Sequence, residues 1–220
     1  MCRRFLRLRG EIQMTDSYKT VANSAEDELI ERRSRFIGRC RPVETEQQAL
    51  DFINEIRTKH WDASHNVYAY CLRDGQIRRY SDDGEPSGTA GMPVLEVLLK
   101  NGITDACIVV TRYFGGVLLG TGGLVRAYSQ SAKLAVEASS VINRAVCSVC
   151  TLSCSYNQYG KAAALISECS GVSDNSEFTD TVRINFHILP NMLPALSKKL
   201  ADATSGEAKI EVVSQKFYTL

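Results

Sequence analysis

The chain has 220 residues and a mass of 24.3 kDa, and it is 44% hydrophobic and 23% charged. These proportions exclude a disordered chain, a fibrous repeat and a coiled-coil rod. Lys and Arg number 26 against 25 Asp and Glu, a net charge of +1, so overall charge does not mark a strongly basic nucleic-acid binder.

The small surplus is concentrated at the start. Residues 1–13 carry Arg3, Arg4, Arg7 and Arg9 against Glu11. Without them 22 basic and 24 acidic residues remain, a net of −2. A start at Met14, with 1–13 as an upstream non-native or disordered extension, competes with a basic tail that touches RNA or membrane. The segment lacks the apolar run of roughly 7–15 residues that a signal peptide needs. No stretch approaches a membrane span. Both features point to the cytoplasm, where the eight cysteines are read as free thiols.

The first module shows strand-like segments over 26–31 and 34–42 and a helix over 46–60, where Ala49, Phe52, Ile53, Ile56 and His60 share a face. Strands follow over 66–72 and 77–80, and a helix over 92–100 that Gly102 stops. Residues 106–110 form a short, continuously apolar run, expected as a central strand buried on both faces. A helix over 124–138 completes the module, and the chain divides near residue 142. The expected units are thus 14–142 and 143–220.

The second unit reads strand 147–156, helix 160–169, strands 172–178 and 181–189, helix 191–202, strand 208–217. This βαββαβ order is the ferredoxin-like split arrangement. Cys147, Cys150 and Cys154 lack the second Cys/His pair of a zinc site. Cys150, Leu152, Cys154 and Tyr156 instead alternate with Ser153 and Ser155, which suits a half-buried strand using Cys as a small apolar residue.

Four features carry chemistry. The loop Ser81-Asp82-Asp83-Gly84-Glu85-Pro86-Ser87-Gly88-Thr89-Ala90-Gly91 holds three carboxylates. Asp82, Asp83 and Glu85 either bind a metal or act as acid and base, or they simply build a turn, with Thr89 as a helix cap. The second loop runs from Arg112 to Arg126 and has five glycines between 115 and 123. So much glycine at a strand-to-helix junction suggests backbone passing close to a ligand or another chain. An anion or partner site would use Arg112, Tyr113, Gly115, Gly116, Gly120, Thr121, Gly122, Gly123 and Arg126. Neither G-x-x-x-x-G-K-[ST] nor G-x-G-x-x-G is matched.

In the third feature, one strand over 33–41 would place Arg33, Arg35, Arg39 and Arg41 on a common face at about 6.6 Å spacing, able to track phosphates. Against this, Glu26, Asp27, Glu28 and Glu31 on a neighbouring strand would neutralise the row, and that reading is favoured. His65 is the fourth. It is the one candidate catalytic imidazole, and a lone histidine opening a strand is usually structural. No residue set makes a complete catalytic constellation, and none calls for a cofactor or a bound metal.

The two loop motifs, with Ser34-Arg35-Phe36-Ile37 and His65-Asn66-Val67-Tyr68-Ala69-Tyr70, resemble the YigZ/IMPACT family in its bacterial two-domain form, from about residue 18 onward. The resemblance implies an α+β protein. Its first domain would have the superfold of a small-subunit ribosomal protein, elongation factor G domain IV and the GHMP kinases, and its second would be ferredoxin-like. The eukaryotic relatives regulate translation by binding a partner of a stress kinase. In the kinases the glycine-rich loop holds nucleotide phosphates, which maps here to Gly115–Gly123, although the Ser-Ser that follows their glycines is missing. Two functions are therefore in view. One is a non-enzymatic factor binding RNA, the ribosome or a protein partner, and it is preferred. The other is an enzyme or sensor of a phosphorylated small molecule or nucleotide.

Overall fold

The computed structural model describes residues 17–219; the basic segment 1–13 lies outside the described residues. The first sheet has the order β2-β3-β6-β4-β5 and is antiparallel throughout. Its strands are β2 (Ala25–Glu31), β3 (Ser34–Pro42), β4 (His65–Cys71), β5 (Arg78–Ser81) and β6 (Ala106–Tyr113), and β1 (Ser17–Val21) precedes them in the chain. Helix α1 (Glu46–Lys59) covers one face, and α2 (Gly91–Asn101) and α3 (Thr121–Ala138) cover the other. With helices on both sides, β6 must be apolar on both faces. It is buried from Ala106 to Arg112, two residues further than the apolar run alone indicates.

Glycine fixes two features of this layer. Gly38 lets β3 pass under α3, where a Cβ would stand 2.4 Å from the Ser131 carbonyl oxygen. Gly120, at φ 73°, is the N-cap of α3. The helix therefore starts three residues before the expected 124, and Thr121, Gly122 and Gly123 form its first turn.

The second sheet has the order β1-β7-β9-β8, with β10 pairing the other edge of β7. Its elements are β7 (Val141–Cys154), α4 (Tyr156–Glu168), β8 (Val172–Phe178), β9 (Val182–Ile188), α5 (Leu193–Thr204) and β10 (Lys209–Thr219). The βαββαβ order is present, with α4 and α5 packed on the face made by Cys150, Leu152, Ile184 and Phe186. Both ends of β7 shift from expectation. A capping box between Ser155 and Gln158 starts α4 at Tyr156, so β7 ends at Cys154 rather than at 156. At its other end β7 begins at Val141, six residues early, because its first five residues pair with β1.

β1 has no periodic pattern that announces it. It exists because it bridges the lobes, bonding β7 on one edge while the Thr104 N–H donates to the Lys19 carbonyl at 2.9 Å. Position 142 thus lies inside a continuous strand, and a segment from the first unit completes the second sheet. At this joint the Arg73 guanidinium sits 4.7 Å from the Tyr18 ring and 4.5 Å from the Phe217 ring, and pairs with buried Asp105. Among the described residues no helix is long and apolar enough to cross a membrane.

Candidate functional site

Both glycine-bearing loops meet at one end of the first sheet, where β6 finishes and β4 begins. Asp82 turns its carboxylate back onto its own loop and accepts from the N–H groups of Gly88, Ala90 and Gly91 at 2.9, 3.1 and 2.7 Å. It is therefore the carboxylate that serves the start of α2, satisfying donors that have no partner within the helix. Thr89, expected as the cap, instead donates from Oγ1 to the Pro86 carbonyl at 2.7 Å.

Asp83 accepts from Arg57 at 2.6 Å and from the Asn66 N–H at 2.7 Å. Glu85 is buried and accepts from the Arg112 guanidinium at 2.5 Å and from the Tyr128 hydroxyl at 2.7 Å. Burial, reinforced by the adjacent Glu85 carboxylate, pushes the Tyr128 hydroxyl well above the ordinary phenol range. The three carboxylates thus point to three different sets of partners. Among the described residues no group of three or more His, Cys, Asp and Glu is placed to hold a metal ion, and of the two readings of Asp82, Asp83 and Glu85 the contacts here are those of a turn-building set.

His65 opens β4 with Nδ1 2.8 Å from the Asp83 carbonyl oxygen and Nε2 3.8 Å from Glu85. It ties the acidic loop to the strand. Tyr113 is held by His60 Nδ1 at 2.9 Å and donates to Asp62 at 3.1 Å. Burial, with the Asp62 bond, raises its hydroxyl. Spacing places His60 on the apolar face of α1 and gives Asp62 no role; the two become visible as partners of Tyr113 only once β6 is laid beside the end of α1.

The structure does not bring Arg112 and Arg126 to one point. Arg112 is 5% exposed and committed to Glu85, whereas Arg126 is exposed and has no ion pair among the described residues. Arg126 lines a groove of about 630 Å³ between α2, α3 and the end of β2, together with Gly123, Leu119 and Arg32. Gly116, Gly120 and Gly122 face open space, while Gly115 does not. A Cβ at Gly115 would stand 2.1 Å from the Arg33 backbone, so this glycine receives the β2–β3 turn.

The expected arginine row breaks up. Arg33 is not in β3 but in the turn, at φ 67° beside Arg32 at φ 45°. Arg35 pairs with Glu28, Arg39 with Glu26, and Arg41 with Glu55 on α1, each at 2.7 Å. Arg39 is also buried, donating to Thr111 at 3.1 Å. Cross-strand carboxylates thus neutralise Arg35 and Arg39, and Glu55 serves Arg41 from the helix. Cys147, Cys150 and Cys154 are buried free thiols, raised by burial. Tyr156, at the end of the expected strand 147–156, begins α4 instead.

The Impact N-terminal domain matches residues 32–136, and a domain of unknown function (DUF1949) matches residues 152–207. The chain is 38% identical over 199 residues to IMPACT family member YvyE of Bacillus subtilis, covering 90% of this chain and 92% of that protein. The chain belongs to the IMPACT family. IMPACT family member YigZ of Escherichia coli is 34% identical over 187 residues, covering 84% of this chain and 92% of the relative. A protein IMPACT homolog of Dictyostelium discoideum is 38% identical over 97 residues, which is 42% of this chain and 28% of that protein. A crystal structure of an hypothetical protein superposes with a TM-score of 0.58 at 32% identity, covering 91% of this chain and 98% of the other. Both motif loops of this IMPACT family member lie within 32–136.

Proposed function

We propose that this IMPACT family protein is a non-enzymatic cytoplasmic factor linked to translation, which docks on RNA or the ribosome through the loop end of its first lobe. The lobes are read as the superfold shared by a ribosomal protein, elongation factor G domain IV and the GHMP kinases, followed by a ferredoxin-like unit; fold alone does not assign function. One observation carries the reading. The carboxylates of the acidic loop are consumed in holding that loop together, while Arg33 and Arg126 stand exposed without an ion pair among the described residues. At these two positions the surface offers cations.

Ribosome co-sedimentation and RNA binding titrated with salt test the reading. Phosphate contacts give a log–log slope of about −0.7 per contact on single strands. Loss of both signals overturns it.

The 630 Å³ groove, whose size falls within the roughly 300–1,000 Å³ of small-molecule sites, favours a second reading as a sensor of a phosphorylated small molecule at Gly123 and Arg126. A thermal-shift panel of nucleotides and sugar phosphates tests it. A ligand at about 100 times its Kd stabilises by about 2.7 kcal/mol, and a flat panel removes this reading.

A further inference from the structure

We infer that the loop end of the first sheet is a site for unpaired nucleotides, in which Trp61 and Phe114 stack bases and the Arg32–Arg33 turn holds phosphates. The inference rests on the RNA-docking reading above and names its site and ligand class.

Three chain segments are fastened side by side there. The Ser64 N–H donates to the Arg112 carbonyl at 2.9 Å, and the Phe114 N–H donates to Ser64 Oγ at 3.1 Å. Tyr113 adds the bond to Asp62. The segment carrying Trp61 is thus braced against the end of β6. On the other side the Gly115 N–H donates to Ser34 Oγ at 3.2 Å, and the missing Cβ of Gly115 admits the Arg33 backbone.

These bonds hold a rigid base under side chains that the base does not use. Trp61 is 83% exposed and Phe114 48%, with Leu118 beyond them at 81%. Large aromatic groups lose most by facing water, so two on one braced platform mark a binding surface. Phe114 has the Arg112 guanidinium 5.4 Å from its ring, which orients it without burying it. Arg33 is exposed and unpaired among the described residues, and Arg32 approaches only Glu31, at 4.0 Å. The one carboxylate of the Trp61 segment, Asp62, already accepts from Tyr113.

The turn itself supports a retained charge. A two-residue hairpin turn with both φ angles positive favours Asn-Gly, and here both places hold arginine. Such a local conflict is characteristic of functional positions. Aromatic rings beside guanidinium groups recognise bases that are free to stack, whereas a duplex hides base faces.

Trp61 is the only tryptophan in the chain, so its fluorescence reports on the site directly. The full-length protein is titrated with a labelled single-stranded RNA of roughly 12 nucleotides, and with the same strand annealed to its complement. The single strand quenches Trp61 and binds about tenfold or more tighter than the duplex, since only exposed bases stack. Trp61→Ala and Phe114→Ala, read by anisotropy, each weaken single-strand binding by about 5- to 100-fold with an unchanged melting temperature. Arg33→Ala weakens it and lowers the salt slope by roughly one contact. Equal affinity for both RNAs, or full binding by the Trp61→Ala/Phe114→Ala double variant, overturns the inference. If ribosome pelleting survives while the Trp61 signal never moves, only this site falls. If neither ribosome nor RNA binds the unmodified protein, the broader reading falls with it.

Discussion

Asp82, Asp83 and Glu85 lie within four residues of one another, and each is turned inward to a different partner. Phe114, Val117 and Leu118 lie within five residues, and each is turned outward. Both loops are rich in glycine and adjoin the same end of one sheet, yet the acidic loop is architecture and the glycine-rich loop is surface. The difference lies in what each side chain finds nearby. Carboxylates close to backbone amides and a buried arginine are satisfied within the fold. Beyond Gly115 the Val117 and Leu118 side chains stay in water, and the chain regains the core only at Leu119.

The largest expected effect probes the inward loop. Glu85→Ala leaves Arg112 buried without a counter-charge, at a cost of about 3–5 kcal/mol, seen as a melting-temperature drop on the order of 10 °C. Replacing both Glu85 and Arg112 by Met recovers much of that loss, because a buried pair is costly mainly when half of it is removed. If the single variant melts normally, the acidic loop is not architectural and the contrast fails.

Gly115→Ala comes next. Its Cβ would meet the Arg33 backbone rather than a movable side chain, which predicts about 1–3 kcal/mol of destabilisation. Asp82→Ala removes one acceptor shared by three amides and costs about 0.5–2 kcal/mol, measured by chemical denaturation.

The outward surface responds differently. Arg32→Asn with Arg33→Gly relieves the positive-φ turn and raises stability by about 1 kcal/mol, while RNA binding falls. Gain of stability with loss of binding is the result that separates surface from architecture. Leu118→Ser, at 81% exposure, changes stability by less than about 0.5 kcal/mol.

Much of this was legible from residue patterns. Alternation and 3.6-residue spacing located the strands and helices of both units, and β6 declared its double burial through an unbroken apolar run. The favoured reading of the arginines, that neighbouring carboxylates answer them, holds for Arg35 and Arg39 through Glu28 and Glu26. β1 was not legible, since a five-residue strand with no periodicity depends on the edge that accepts it. The Ser155–Gln158 capping box was present as a signal, and the longer strand pattern masked it. Composition does not reveal that a hairpin turns at 32–33, so the spacing alone extends β3 back to Arg33.

By itself the sequence determined which segments fold, which side chains are apolar enough to be buried, and which loops depart from ordinary composition. Those are properties of local spacing, and local spacing is written in the chain. Only the tertiary structure decided that Glu85 meets Arg112 and Tyr128, that Gly115 receives the Arg33 backbone, and that Trp61 shares an end of the sheet with Phe114. Each such pair is separated by 27 to 82 positions in the chain. Whether a charged or aromatic group ends in the core or in water is fixed by what other segments bring to it, and no local pattern carries that information.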